Sequence, residues 1–126
     1  MAGIEKKLLL KETKNRLEGG DVFFTKFDRL SVEKFSQLRR NVKKNEARGF
    51  VVKNSIARLA LKEMDMEESM DALDGQVFIV TAPKEPQDIS KELVDFAKEQ
   101  ESFEIQGARI DGIFQSKDYI EQLSKL

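Results

Sequence analysis

Apolar residues along this chain follow two spacings, and the change from one to the other marks the secondary structure. Continuous or alternating apolar runs of strand length cover residues 22–27, 49–52, 77–81 and 103–110. Apolar residues three or four positions apart predict helices over residues 4–17, from Ser31, from residue 54 or 55, over 63–74, from Pro86 to about residue 100, and after Ser116. Helices and strands therefore alternate along most of the chain.

Local signals place several boundaries and buried faces. Ser31 is predicted to cap a helix, with Leu30 and Phe35 as a hydrophobic staple. The buried stripe of that helix is expected at Val32, Phe35, Leu38 and Val42. Asn54 or Ser55 is expected to cap the next helix, and Ser116 is expected to cap the last one. Asp111-Gly112 predicts a hairpin, and the last helix is expected to turn Tyr119, Ile120 and Leu123 inward.

Two strand-helix-strand units of similar length predict an α+β fold. The expected architecture is a ferredoxin-like open sheet with helices mainly on one face, plus an N-terminal helix. A length of 126 residues with 40% apolar residues fits one hydrophobic core. We therefore expect a single domain over residues 1–126, with no linker that divides it.

Composition excludes several classes of function. The chain has no cysteine and no histidine, which removes disulfides, thiolate metal sites and the side chain most often used for proton transfer near neutral pH. Lys53 and Asp111 could be imagined as an acid-base pair, but nothing in the sequence brings them together. We expect no enzyme activity, no cofactor and no metal. Apolar runs are too short to span a membrane and the start lacks a secretory signal, so the expected location is the cytosol.

The net charge of −1 conceals a strong separation of charge along the chain. Residues 26–58 hold ten Lys or Arg against three Asp or Glu, whereas residues 63–104 hold three against thirteen. If the fold keeps these regions on different surfaces, the basic region can engage phosphate. The other reading is that both are ordinary solvated helix faces.

Residues 49–61, GFVVKNSIARLAL, contain the most informative pattern. A buried strand ends in Lys53, a helix then begins, and Arg58 follows on its outer side. Helix N-termini attract anions, and two full positive charges beside one would strengthen phosphate binding. If strand 49–52 lies alongside strand 22–27, the basic residues just upstream extend the same surface: Arg39, Arg40, Lys43, Lys44 and Arg48. The alternative is that Lys53 and Asn54 only shape a turn.

The same segment carries a resemblance to a known family. Val51-Val52-Lys53-Asn54 with Ala57-Arg58 resembles bacterial-type large-subunit ribosomal protein ten, the protein at the base of the ribosomal stalk. Weaker supporting stretches are Glu5-Lys6-Lys7, Leu30-Ser31, Gln37-Leu38-Arg39-Arg40, Ala60-Leu61, Gly107 and Asp111-Gly112. The resemblance runs nearly end to end.

The resemblance implies a non-enzymatic ribosomal protein that binds the stalk-base region of large-subunit rRNA beside another ribosomal protein. In the family, a C-terminal helix beyond this domain carries the acidic stalk proteins that recruit translational GTPases, and it is expected to be absent from a chain ending at Leu126. The implied location is the large ribosomal subunit in the cytoplasm, with no membrane partner. The implied RNA-binding residues are Lys53, Asn54, Arg58, Arg39, Arg40, Lys6 and Lys7.

Two other functions remain open. A ribosome-assembly factor of the same family would occupy the same RNA site transiently. A protein-interaction module would instead use its acidic helices, chiefly residues 85–101, to bind a cationic partner. Steep salt dependence of RNA binding would favour a ribosomal role over the interaction module.

Overall fold

The computed structural model describes residues 2–18, 20–64, 75–82 and 85–125. Its helices are α1 (Ala2–Leu17), α2 (Val32–Lys44), α3 (Asn54–Glu63), α4 (Pro86–Glu99) and α5 (Lys117–Ser124). Its strands are β1 (Asp21–Phe27), β2 (Arg48–Val52), β3 (Gln76–Ala82), β4 (Phe103–Ile110) and β5 (Ile113–Ser116). The predicted strands all form, each within two residues of its expected ends.

The five strands make one antiparallel sheet in the order β2-β3-β1-β4-β5. Helix α2 connects β1 to β2 across β3, and α4 connects β3 to β4 across β1, which is the split connection of a ferredoxin-like fold. The hairpin at Asp111-Gly112 adds β5 at one edge, and both turn residues have the positive φ that such tight turns require. The predicted fold class is confirmed.

Each face of the sheet has its own apolar cluster, because successive strand residues point to opposite sides. On β1, Phe23 packs in one cluster, whereas Val22 and Phe24 pack in the other. The pairing of β1 with β4 shifts by one residue between Phe24 and Thr25. This bulge lets residues 103, 105, 108 and 110 of β4 all face the same core, which strict alternation would not allow.

Among the described elements, helices cover both faces of the sheet, three on one and two on the other. Helices α2, α4 and α5 bury Leu38, Leu93 and Ile120 on the face that contains Phe23. Helices α1 and α3 bury Leu17 and Leu61 on the opposite face. The expectation of helices mainly on one face is therefore met, and α3 joins the N-terminal helix on the second.

Two predicted core positions are wrong. Val32 is 84% exposed, because it is the first residue of α2 and precedes the turn where Leu38 and Val42 reach the sheet. Tyr119 is 43% exposed, since the inward line of α5 passes through Ile120, which is fully buried. The apolar spacing therefore predicts a buried stripe that is one turn too long in α2 and one residue too wide in α5.

The three predicted helix N-caps agree with the structure to different extents. Ser31 caps α2 as predicted, and its Oγ accepts a 3.2 Å hydrogen bond from the Lys34 backbone N–H. Ser116 is the N-cap of α5 without a side-chain bond. The predicted cap of α3 at Asn54 or Ser55 is wrong, because the N-cap residue is Lys53. The predicted helix over residues 63–74 falls mainly outside the described residues.

Gly49 provides a test of core packing. An added Cβ would overlap the ring of Phe78, which is fully buried and contacts Phe35 edge-on. Gly49→Ala is expected to lower the free energy of unfolding by about 1–3 kcal/mol, since an overpacked core must shift its side chains. Urea unfolding measures the change. Gly3→Ala in α1 is the matched control, because a Cβ added there would meet no neighbouring atom within 4 Å. This substitution should leave the free energy of unfolding unchanged or slightly raised. Equal effects at both positions would contradict the packing argument.

The caps offer a second comparison. Ser31→Ala removes an acceptor for a backbone N–H and should cost about 1 kcal/mol, whereas Ser116→Ala removes no side-chain bond and should cost clearly less. Thermal unfolding of the two variants under identical conditions measures the difference. A loss at Ser31 no larger than that at Ser116 would contradict the stabilising role of the Ser31 hydrogen bond.

Candidate nucleic-acid interface

The start of α3 is electropositive for reasons of backbone geometry and sequence. Lys53 is the N-cap, in extended conformation with φ −65° and ψ 136°, so the first N–H groups of the helix point past it. No acidic residue lies in the first turn of α3. Lys53 and Arg58 are both exposed, and they add full charges to the positive end of the helix dipole. The predicted helix start therefore forms, with both cationic side chains exposed near it.

Asn54 has a structural contact at this site. Its Nδ2 donates a 3.1 Å hydrogen bond to the carbonyl oxygen of Gly75, which precedes β3. Its Oδ1 is buried and has no hydrogen-bond partner among the described residues. Asn54 therefore joins the start of α3 to the neighbouring turn. This contact also agrees with the alternative that the Lys53-Asn54 pair shapes a turn.

Helix α1 packs beside α3 on the same face of the sheet. Lys14 forms an ion pair with Glu63 at the end of α3, with Nζ and Oε1 2.7 Å apart. Lys6 and Lys7 lie in the first half of α1 and are exposed. All the residues that α1 and α3 were predicted to contribute thus belong to one helical layer.

Arg39 and Arg40 lie elsewhere. The condition that would have joined them to Lys53, a pairing of strand 49–52 with strand 22–27, is not met, because β2 pairs with β3. Helix α2 covers one face of the sheet and α3 the other, so the edge strand β2 separates the two arginines from Lys53. The physical reason is the helix α2 crossover, which carries β2 past β3 instead of returning it beside β1.

A second basic region was missed from the sequence. An open groove of about 1060 Å³, the edge groove, follows β2 and is lined by Arg16 of α1, Arg39 and Lys43 of α2, and Arg48 of β2. The Arg16 guanidinium carbon lies 4.9 Å from the centre of the Phe50 ring, and that of Arg39 lies 5.0 Å from the centre of the Phe35 ring. Lys43 and Arg48 belong to the predicted basic segment, but no sequence signal places Arg16 beside them.

The acidic helix α4 lies away from α3. Its buried residues, including Leu93 and Phe96, pack on the sheet face that α3 does not cover. Asp88, Asp95 and Glu99 of α4 are exposed. The fold therefore keeps the acidic helix off the layer that contains Lys53 and Arg58, as the charge pattern required.

Within the described residues, no group of three or more metal-ligating side chains comes together. None of the described helices is long and apolar enough to cross a membrane.

Comparisons with a family model and with individual proteins both match this chain to ribosomal protein L10. The family model of ribosomal protein L10 matches residues 1–98. The large ribosomal subunit protein uL10 of Maridesulfovibrio salexigens is 34% identical over 123 residues, which cover 97% of this chain and 71% of that protein. The uL10 of Syntrophotalea carbinolica is 36% identical over 82% of this chain and 60% of its own, and that of Rickettsia akari is 33% identical over 86% and 64%.

The chain thus spans between 60% and 71% of the length of these relatives. The family is named for a component of the ribosome, in agreement with the expectation that the chain is not an enzyme. Since the family model covers well over half of the chain and its relatives exceed 30% identity, the chain belongs to the ribosomal protein L10 family.

Proposed function

We propose that this chain is a structural protein of the large ribosomal subunit that binds rRNA of the stalk base. The observation that carries the proposal is the family match over residues 1–98, to relatives named large ribosomal subunit protein uL10. Residues 1–126 would act as one rRNA-binding domain. Its location would be the large subunit in the cytoplasm, with another ribosomal protein as neighbour.

The principal RNA contact is proposed at the start of α3. A phosphate oxygen there would accept hydrogen bonds from the first backbone N–H groups, and Lys53 and Arg58 would neutralise its charge. The bond from Asn54 to Gly75 would hold the helix start in place while this happens. Rigid presentation of donors lowers the entropy lost on binding.

Arg39, Arg40, Lys6 and Lys7 are proposed as secondary contacts. Lys6 and Lys7 share the α1 and α3 layer with Lys53, whereas Arg39 and Arg40 lie beyond the β2 edge. Such contacts read shape and backbone, as expected for folded RNA whose deep groove excludes side chains.

The acidic stalk proteins are proposed as partners only of a chain in which a further helix follows residue 126. Within residues 1–126 no role in holding them is assigned. The α3 surface is the part of the proposal that this chain can test by itself.

Lys53→Ala and Arg58→Ala should each weaken binding to a stalk-base rRNA fragment by about fivefold, because each removes a charge from the phosphate site. The slope of binding against salt should also fall by about one unit for each phosphate that the protein no longer neutralises. Fluorescence anisotropy across a salt series measures both effects. A scrambled hairpin of equal length should bind more weakly than the fragment.

Lys91→Ala, on the exposed side of α4, is the matched control and should leave RNA affinity within about twofold of the unchanged protein. Circular dichroism establishes that each variant is folded. Equal binding of the fragment and the scrambled hairpin would contradict selective recognition. Equal losses of affinity for Lys53→Ala and Lys91→Ala would contradict the placement of the site at α3.

A further inference from the structure

The edge groove contains two features that the proposed RNA site does not use. One is the open edge of β2, which pairs with β3 on one side and with no described strand on the other. The other is a set of cations on both sides of that edge. Arg16 stands on the α1 side, Lys43 on the α2 side, and Arg48 at the start of the strand.

An edge strand presents backbone N–H and C=O groups in a row, which is the surface that an added strand recognises. Val51 lies on this edge with 49% of its surface exposed, so an apolar side chain is also available there. A phosphate backbone can accept hydrogen bonds from single N–H groups, but it lacks the alternating row of donors and acceptors that a strand edge pairs with, and it has no apolar side chain to cover Val51. The geometry therefore favours an extended peptide over RNA as the occupant.

The charges select an acidic peptide. Within the described residues, Arg16, Lys43 and Arg48 form no ion pair, and Glu46 is the acidic residue of the groove against four cations. The Phe50 ring beneath Arg16 holds that guanidinium at the groove wall. Carboxylates of a bound peptide would meet cations that already stand in position.

The same charges disfavour a second copy of this chain. Two β2 edges that met side by side would bring two strongly basic grooves together, and the repulsion between like-charged surfaces opposes such an interface. Charge on an edge strand is a common protection against such pairing. The protection does not act against a peptide of opposite charge.

We propose that the β2 edge is a docking site for an extended acidic segment of another protein, which adds a strand beside β2 while its carboxylates contact Arg16, Lys43 and Arg48. This site is separate from the α3 start and does not depend on RNA binding. Backbone hydrogen bonds would fix the register of the added strand, and the cations would select a peptide rich in carboxylates.

The test uses a fluorescein-labelled peptide of about ten residues, in which two glutamates follow each valine so that both faces of the strand are charged. It should bind the folded chain, and Arg48→Glu should weaken binding by about tenfold, because an attraction becomes a repulsion. Lys43→Gln should weaken it about threefold. Lys91→Glu on α4 is the charge-matched control and should change binding by less than about twofold.

Strand addition can be tested separately from charge by comparing two peptides on the protein without substitutions. A peptide with proline in place of each valine retains the charge but cannot form a ladder, and it should bind at least about tenfold more weakly. Hydrogen exchange of the β2 amides should slow when the acidic peptide is bound.

Three results would overturn the proposal. The proline peptide could bind as tightly as the valine peptide, which would leave only general charge attraction. Lys91→Glu could weaken binding as much as Arg48→Glu. A uridine oligonucleotide of equal charge could bind more tightly than the peptide and lose affinity in Arg48→Glu, which would make the groove a nucleic-acid surface.

Discussion

The rest of the structure depends on the burial of β1 and β3 on both faces. These two central strands carry apolar side chains on both sides, with Phe23, Phe24, Phe78 and Ile79 all fully buried. If one face of the sheet were exposed to solvent, half of these residues would lie in water. Each Å² of exposed apolar surface would then cost roughly 25 cal/mol of folding free energy. Helices must therefore pack on both faces, and the α1 and α3 layer exists because the second face of β1 and β3 needs a cover.

That requirement also positions the charges. Helix α3 is inserted between β2 and β3 and lies on the face opposite α4, so the acidic helix and the proposed phosphate site occupy different layers. The bond from Asn54 to Gly75 ties the start of α3 to the residue just before β3, which is one of the two central strands. A helix start held at the edge of the sheet keeps its backbone N–H groups in fixed positions, which would lower the entropy lost when a phosphate binds.

Sheet topology separates two basic surfaces that form one stretch in the sequence. The crossover through α2 places β2 at the edge, with Lys53 beyond one end of the strand and Arg48 at the other. The first surface offers helix N–H groups and suits phosphate, whereas the second offers a strand edge and suits a peptide. Under the two proposals, the Lys- and Arg-rich segment 26–58 would serve two partners of different chemistry.

The sequence by itself determined the strands and most helix boundaries to within a residue or two, because each depends on neighbours along the chain. The alternation in β1, the Ser31 cap, the Asp111-Gly112 turn and the Lys53-to-Arg58 spacing are all local patterns. Only the tertiary structure decided which strand lies beside β2, since pairing depends on contacts across more than twenty residues. It alone placed Arg16 beside Arg48, exposed Val32 and Tyr119, and gave Asn54 its bond to Gly75. Those outcomes depend on how faces and edges pack in space, which spacing along a single chain does not specify.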